Sequence, residues 1–164
     1  MATVSKTGVT KLRQFGGTPW GNAWVDKFTF ETNTSGVLVE SDQATAVVVG
    51  DVVNIGVLPA GLDIHDSLAV VSDAFTAATT AKVGFKYVDG VDDADVPQDD
   101  DYFNAALATN AQGRTRANNN TVKPVILPKD AYITLTIAGA NHASAGHVDV
   151  IVNGVWTGLP SANP

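Results

Sequence analysis

The chain has 164 residues, 45% of them hydrophobic, enough for one domain with its own core and too few for two comfortable ones. A net charge of −7 and a pI near 4.6 argue against a nucleic-acid binder, which needs a basic face. The absence of cysteine removes disulfides, thiol catalysis and cysteine-ligated zinc, so stability must come from packing or association.

Ala, Val, Thr and Gly dominate while the long helix formers are thin, which favours β-structure. No window reaches the roughly 18 apolar residues of a spanning helix, and the first 14 residues contain no apolar stretch of signal-peptide length. The expectation is a protein with no membrane partner, made and kept in the cytosol unless it leaves within a larger particle.

Residues 1–22 read as an extended arm, because Gly8, Gly16, Gly17, Pro19 and Gly21 break any helix. Three of the ten basic residues (Lys6, Lys11 and Arg13) and none of the seventeen acids fall in the first 25 positions. That stretch is therefore +3 and the remainder −10. Such an arm is either a disordered terminus or a strap for an acidic partner surface. Trp20 and Trp24 favour the strap, since Trp is a costly residue to leave in a loose tail.

Residues 24–32, WVDKFTFET, alternate as a strand with Trp24, Asp26, Phe28 and Phe30 on one face. Asn33 to Gly36 make a turn before a short strand at Val37 to Glu40. Residues 46–58 follow, divided at Gly50-Asp51. Pro59-Ala60-Gly61 turns the chain into a strand over 62–75, for which a helix from Asp66 is the competing reading. Val83 to Val88 is a strand ending in the turn dipeptide Asp89-Gly90.

Residues 90–101 hold six Asp, after which YFNAALA, Tyr102 to Ala108, reads as one short helix capped by Asp99, Asp100 or Asp101. Residues 109–121 form a long polar loop with Arg114, Arg116 and an Asn run. A brief strand at 125–127 precedes Pro128. YITLTIA at 132–138 is the cleanest alternation in the chain, and HVDVIV at 147–152 is the last strand before an Asn153-Gly154 turn.

Leu58-Pro59-Ala60-Gly61-Leu62-Asp63-Ile64 and Leu127-Pro128-Lys129-Asp130-Ala131-Tyr132-Ile133 are two copies of one plan. Each is a Leu-Pro corner feeding an alternating strand, then a small-residue loop and a Val-led strand. A plan used twice suits two packed sheets, each half supplying strands to both. The expected fold is all-β, a jelly-roll-like antiparallel β-sandwich with an extended N-terminal arm and one short helix. An immunoglobulin-like sandwich is the alternative. Its organisation is an arm over 1–22, a sandwich domain over 23–158 and a tail over 159–164.

The Asp-rich stretch invites a calcium site, but the EF-hand order fails: no Gly stands at the sixth position and no Glu closes the loop. A solvated acidic loop is the preferred reading. His142, Ser144, His147 and Asp149 supply the ingredients of a triad without a nucleophile turn or an oxyanion-hole signature. His65-Asp66 reads as surface pairing. Arg114 and Arg116 suit acids on a neighbouring subunit better than phosphate. No catalytic residue, cofactor or metal ligand is assigned.

The pattern LPAGLDI…VVSDAF…TTAKVGFKYVDG followed by LPKDAYITLTIAG…AGHVDVIV resembles the jelly-roll capsid decoration, or cement, proteins of tailed bacteriophages, over roughly residues 45–155. The resemblance implies a non-enzymatic virion protein on the outer capsid surface, synthesised in the host cytoplasm. It also implies binding to the major capsid protein, homo-oligomers (dimer or trimer) and no direct contact with nucleic acid. The positions best suited to meet a partner are Lys6, Lys11, Arg13, Trp20, Trp24, Arg114 and Arg116. A tail fibre or baseplate module and a carbohydrate-binding β-sandwich are the other readings.

Overall fold

The computed structural model describes residues 3–5 and 22–158. The tail at 159–164 and most of the arm lie outside the described residues. Ten strands run in chain order: β1 (Thr3–Ser5), β2 (Ala23–Thr32), β3 (Val52–Leu58), β4 (Leu62–Asp73), β5 (Thr80–Tyr87), β6 (Asp99–Ala108), β7 (Gly113–Arg116), β8 (Val125–Ile126), β9 (Ala131–Ala138) and β10 (Gly146–Trp156). They form two sheets, ordered β1-β3-β9-β5-β6 and β2-β10-β4-β7, with β8 pairing β4 as well.

All pairings are antiparallel except that of β1, which lies parallel to β3 with Val4 beside Val53. The chain passes from one sheet to the other between β1 and β2, β2 and β3, β3 and β4, β4 and β5, β6 and β7, β8 and β9, and β9 and β10. This is jelly-roll winding.

The alternation in the sequence is what the two inner faces use. Phe28 and Phe30 of β2, Ile64 of β4, and Val148, Val150 and Val152 of β10 line one inner face. Val53 and Ile55 of β3, Ile133, Leu135 and Ile137 of β9, and Val83 and Phe85 of β5 line the other. Contact between the sheets is close enough that a Cβ added to Gly56 of β3 would sit 2.0 Å from the Phe28 ring.

The two Leu-Pro corners lie side by side. Gly61 N donates to Leu127 O (2.8 Å), Leu127 N to Leu62 O (2.9 Å) and Ala60 N to Asp130 Oδ1 (2.8 Å). Around them β3 pairs β9 and β4 pairs β8, so each corner joins one strand of each sheet. The end of β10 closes over the first corner, with Trp156 Nε1 donating to Ala60 O (3.0 Å) and Thr157 N to Gly61 O (2.8 Å).

Several expectations need correction. Tyr102 to Ala108 is not a helix; it is most of edge strand β6, and among the described residues there is no helix. Its helix-favouring alanines are overridden by pairing with β5, where Ala81 meets Leu107 and Val83 meets Asn104. Two register shifts in that pairing place Tyr102, Phe103 and Asn104 consecutively inside, which erases the period-two signal. The segment from Asp66, by contrast, is strand as expected, part of β4, and not the competing helix. Asn153-Gly154 is a bulge inside β10, where the missing Cβ of Gly154 leaves room for Asp63 O. The polar stretch 109–121 contains β7, and the short strand expected at Val37 is a pair of isolated bridges.

Gly56 gives a direct test of the sheet contact. Gly56→Ala should lower unfolding free energy by about 1–3 kcal/mol through overpacking against Phe28. Gly113→Ala, whose Cβ would meet nothing within 4 Å, should stay within about 0.5 kcal/mol of the parent. Urea unfolding of the two variants makes the comparison.

Candidate interaction surfaces

Of the partner-facing residues expected from sequence, Lys6, Lys11, Arg13 and Trp20 lie outside the described residues. Trp24 stands on the inner face of β2, half-buried, its ring centroid 6.4 Å from that of Phe28. Arg114 and Arg116 project from β7 on the outer face of its sheet, opposite Val70 and Leu68 of β4. Arg116 pairs within the chain with Asp66. Arg114 is exposed and makes no ion pair among the described residues. The Asn run beside them is structural: Asn118 Oδ1 accepts from Asn104 Nδ2 (3.1 Å), and Asn119 Nδ2 donates to Asp101 O (3.0 Å).

His65 does not pair with Asp66; its Nε2 lies 3.3 Å from Asp63, two residues back on the same outer face. A further network escaped the sequence because it depends on register. Lys27 of β2 lies 3.3 Å from Asp149 of β10, which also accepts from Thr29 Oγ1 (2.6 Å) and faces His147 Nε2 (3.3 Å). Glu31 lies 3.5 Å from the other ring nitrogen of His147. Burial works to raise the Asp149 pKa, but the hydrogen bonds from Thr29 and Lys27 outweigh it and hold the carboxyl below its ordinary value.

The acidic stretch is a built turn. Asp92 Oδ1 accepts from Gln98 N (2.7 Å), and Asp93 Oδ1 from Asp95 N and Val96 N (both 3.0 Å). Asp89 is held by Lys129 (2.8 Å), which also lies 4.6 Å above the Tyr87 ring. On β6 the carboxylates of Asp99, Asp100 and Asp101 come within 4.8 Å of one another, with Lys82 3.0 Å from Asp100. Desolvation, then the neighbouring Asp99, raises the Asp101 pKa.

A cleft of about 450 Å³ lies between this turn and residues 121–125, with Phe85 and Tyr102 among its lining. The hydroxyl of Tyr102 is spent on Lys123 O (2.8 Å), and that of Tyr87, beneath the turn, on Val96 O (2.5 Å). Of the three aromatic spots in the chain, Tyr102-Phe103 is buried, Trp24 is half-buried and Trp156 is 41% exposed. They do not form a shared stacking platform.

The triad ingredients do not converge. Ser144 Oγ bonds Thr76 Oγ1 (3.1 Å), His147 and Asp149 stand on the outer face, and His142 is 2% exposed inside the sandwich. The His142 ring is edge-on to Phe75 and Phe30, at 4.8 and 5.4 Å between centroids, and neither of its nitrogens has a hydrogen-bond partner among the described residues. Its backbone pins a loop end, donating to Val47 O (2.9 Å).

No protein-family model matches the chain, and no curated protein matches it in sequence. Among solved structures it is similar to a chain from the capsid of Ralstonia phage GP4, with a TM-score of 0.65 and 16% identity, covering 96% of this chain and 99% of that one. A chain from the acidic stable capsid structure of Helicobacter pylori bacteriophage KHP30 also matches, with a TM-score of 0.49 and 15% identity over 81% of this chain and 89% of that one. At 16% identity the first likeness shows a shared fold, and it extends from end to end of both chains.

Burial lowers the His142 pKa from 6.5 to about 4. Between those values the unfolded chain binds the extra proton, so stability falls as pH falls, by up to about 3 kcal/mol. Replacing the imidazole by an apolar side chain, as in His142→Leu, should flatten that part of the profile. Urea midpoints at pH 7, 5.5 and 4.5 for the parent and variant read the difference.

Proposed function

We propose that this chain is a bacteriophage virion protein that decorates and stabilises the outer surface of the capsid by bridging major capsid protein subunits. One observation carries the reading: the jelly-roll fold is shared, end to end, with a chain from the Ralstonia phage GP4 capsid. The arrangement of the surface agrees with it. The polar groups around the acidic turn and β7 are engaged in holding loops and strands.

The partner contact is assigned to the arm beyond β1, through Lys6, Lys11, Arg13 and Trp20, with Trp24 at its root; Thr3–Ser5 belongs to the sandwich, Val4 in its core. Arg114, which makes no ion pair among the described residues, and Arg116 beside it, tied to Asp66, are assigned to the contact with a neighbouring subunit. A positive, apolar-studded strap carried by a strongly acidic body can engage an acidic capsid surface while the body itself is held off it. The chain acts as a homo-oligomer, dimer or trimer, with no direct contact with nucleic acid, and its place is the virion exterior after synthesis in the host cytoplasm.

The triple variant Lys6→Glu/Lys11→Glu/Arg13→Glu, checked to have the parent's urea midpoint, should abolish co-sedimentation with particles that lack the chain. Binding by the parent should weaken as salt rises, since exposed charge attraction is screened. Undiminished decoration by the triple variant would sink the arm contact. Electron microscopy of native particles tests the location: density confined to the tail would replace the capsid reading with a fibre or baseplate module.

A further inference from the structure

The outward faces of the two sheets differ in chemistry. On the sheet containing β5 and β9, the outward residues include Lys82, Lys86, Tyr132 and Thr136, an ordinary polar face. On the sheet β2-β10-β4-β7, Leu68 of β4 stands directly beside Ile151 of β10, with Val70 next along β4. Farther along, Val155 follows on β10 and Val25 on β2, the latter 60% exposed. None of these side chains is needed for the core, which takes the alternate positions of the same strands.

Most charges on this face are matched to one another: Arg116 with Asp66, Lys27 with Asp149, His65 beside Asp63 and His147 beside Glu31, with Arg114 making no ion pair among the described residues. The face is thus close to neutral on a chain of net charge −7, whose seven Asp between Asp89 and Asp101 lie on and before β6, the edge strand of the other sheet. An aliphatic centre with a polar, internally paired rim is the anatomy of a protein interface.

We propose that this outward face binds the same face of a second copy of the chain, sheet against sheet across a two-fold axis. This names the subunit contact of the homo-oligomer in the proposed function and rests on that reading. Two considerations favour a second copy. Copies of an acidic chain repel one another over most of their surface, and this face carries little net charge. The area is also sufficient. β2, β10 and β4, of 10, 11 and 12 residues, and the four-residue β7, about 4.8 Å apart and rising about 3.3 Å per residue, present roughly 600 Å² of flat face. Two copies then bring together roughly 1,200 Å², where specific interfaces begin.

Sedimentation of the full chain over a range of concentrations, without capsids, is the test. The parent should run as a dimer. Ile151→Lys, at the centre of the face and counted twice by the symmetry, should weaken association at least tenfold. Thr136→Lys, on the other sheet, should not. A monomeric parent at all concentrations overturns the proposal, as does a folded Ile151→Lys that associates like the parent. If Ile151→Lys fails to fold, spin labels decide. The chain has no cysteine of its own, so Val25→Cys and Val91→Cys each carry one label at comparably exposed positions, 60% and 62%. Stronger intermolecular coupling at position 25 supports the face, and equal or weaker coupling overturns it. A chain that dimerises this way yet never decorates particles overturns only the capsid reading. A chain that decorates as a monomer overturns only this inference.

Discussion

The paired Leu-Pro corners are the constraint on which the sandwich depends. β3 and β4 belong to different sheets yet are separated by only Pro59, Ala60 and Gly61, and β8 and β9 are joined by a similarly tight turn. Locking the corners together fixes the pairing of β3 with β9 in one sheet and of β4 with β8 in the other. The division of labour is clear from magnitudes. Each backbone hydrogen bond between the corners contributes about 1 kcal/mol net. Leu58, Leu62 and Leu127, all fully buried there, contribute roughly 1.5–3 kcal/mol each. Burial supplies the stabilisation, and the hydrogen bonds select the register in which it is collected.

What was legible in the sequence follows from this. The corners announce themselves through Pro and Gly, and β5, β9 and β10 through alternation, because these strands send side chains to the core at every second position. β3 and β4 keep the pattern only in part. Each slips phase at a bulge, β3 between Asn54 and Gly56 and β4 at His65, which turns Leu68 and Val70 outward. β6 was illegible because its bulges against β5 put three consecutive residues inside. β7 was illegible for the opposite reason. Gly113, Arg114, Thr115 and Arg116 send nothing to the core, and the strand exists because β4 offers an edge to pair with. The Asn153-Gly154 dipeptide has the chemistry of a turn, yet β2 and β4 hold it in a strand from both sides.

The surface was harder to read than the fold, for a related reason. Lys27 and Asp149 are 122 residues apart, and Arg116 and Asp66 are 50 apart; both pairs meet only through strand register. The residue types of Leu68, Val70 and Ile151 look like ordinary strand residues in one dimension. Only the pairing of β4 with β10 shows that they share an outward face. The acidic stretch, read in one dimension as a solvated loop, is a built turn, its carboxylates accepting from backbone N–H groups that a tight loop would otherwise leave bare.

His142 shows how the loop end of the sandwich is held. Its backbone amide closes on Val47, and its carbonyl lies so close to Gly36 that a Cβ there would come within 2.1 Å. The ring fills a slot between Phe30 and Phe75 that a phenyl group would fill without leaving polar atoms dry. Two buried ring nitrogens without partners among the described residues cost about 1–3 kcal/mol each, and the edge-on aromatic contacts return only about 0.5–1.5 kcal/mol apiece. The slot therefore gains packing at the expense of solvation, and protonation strikes where three loops converge. The corner end is built differently. There every polar group of the Pro59–Gly61 turn named above has a partner, and the leucines beneath it carry no group that acid can charge.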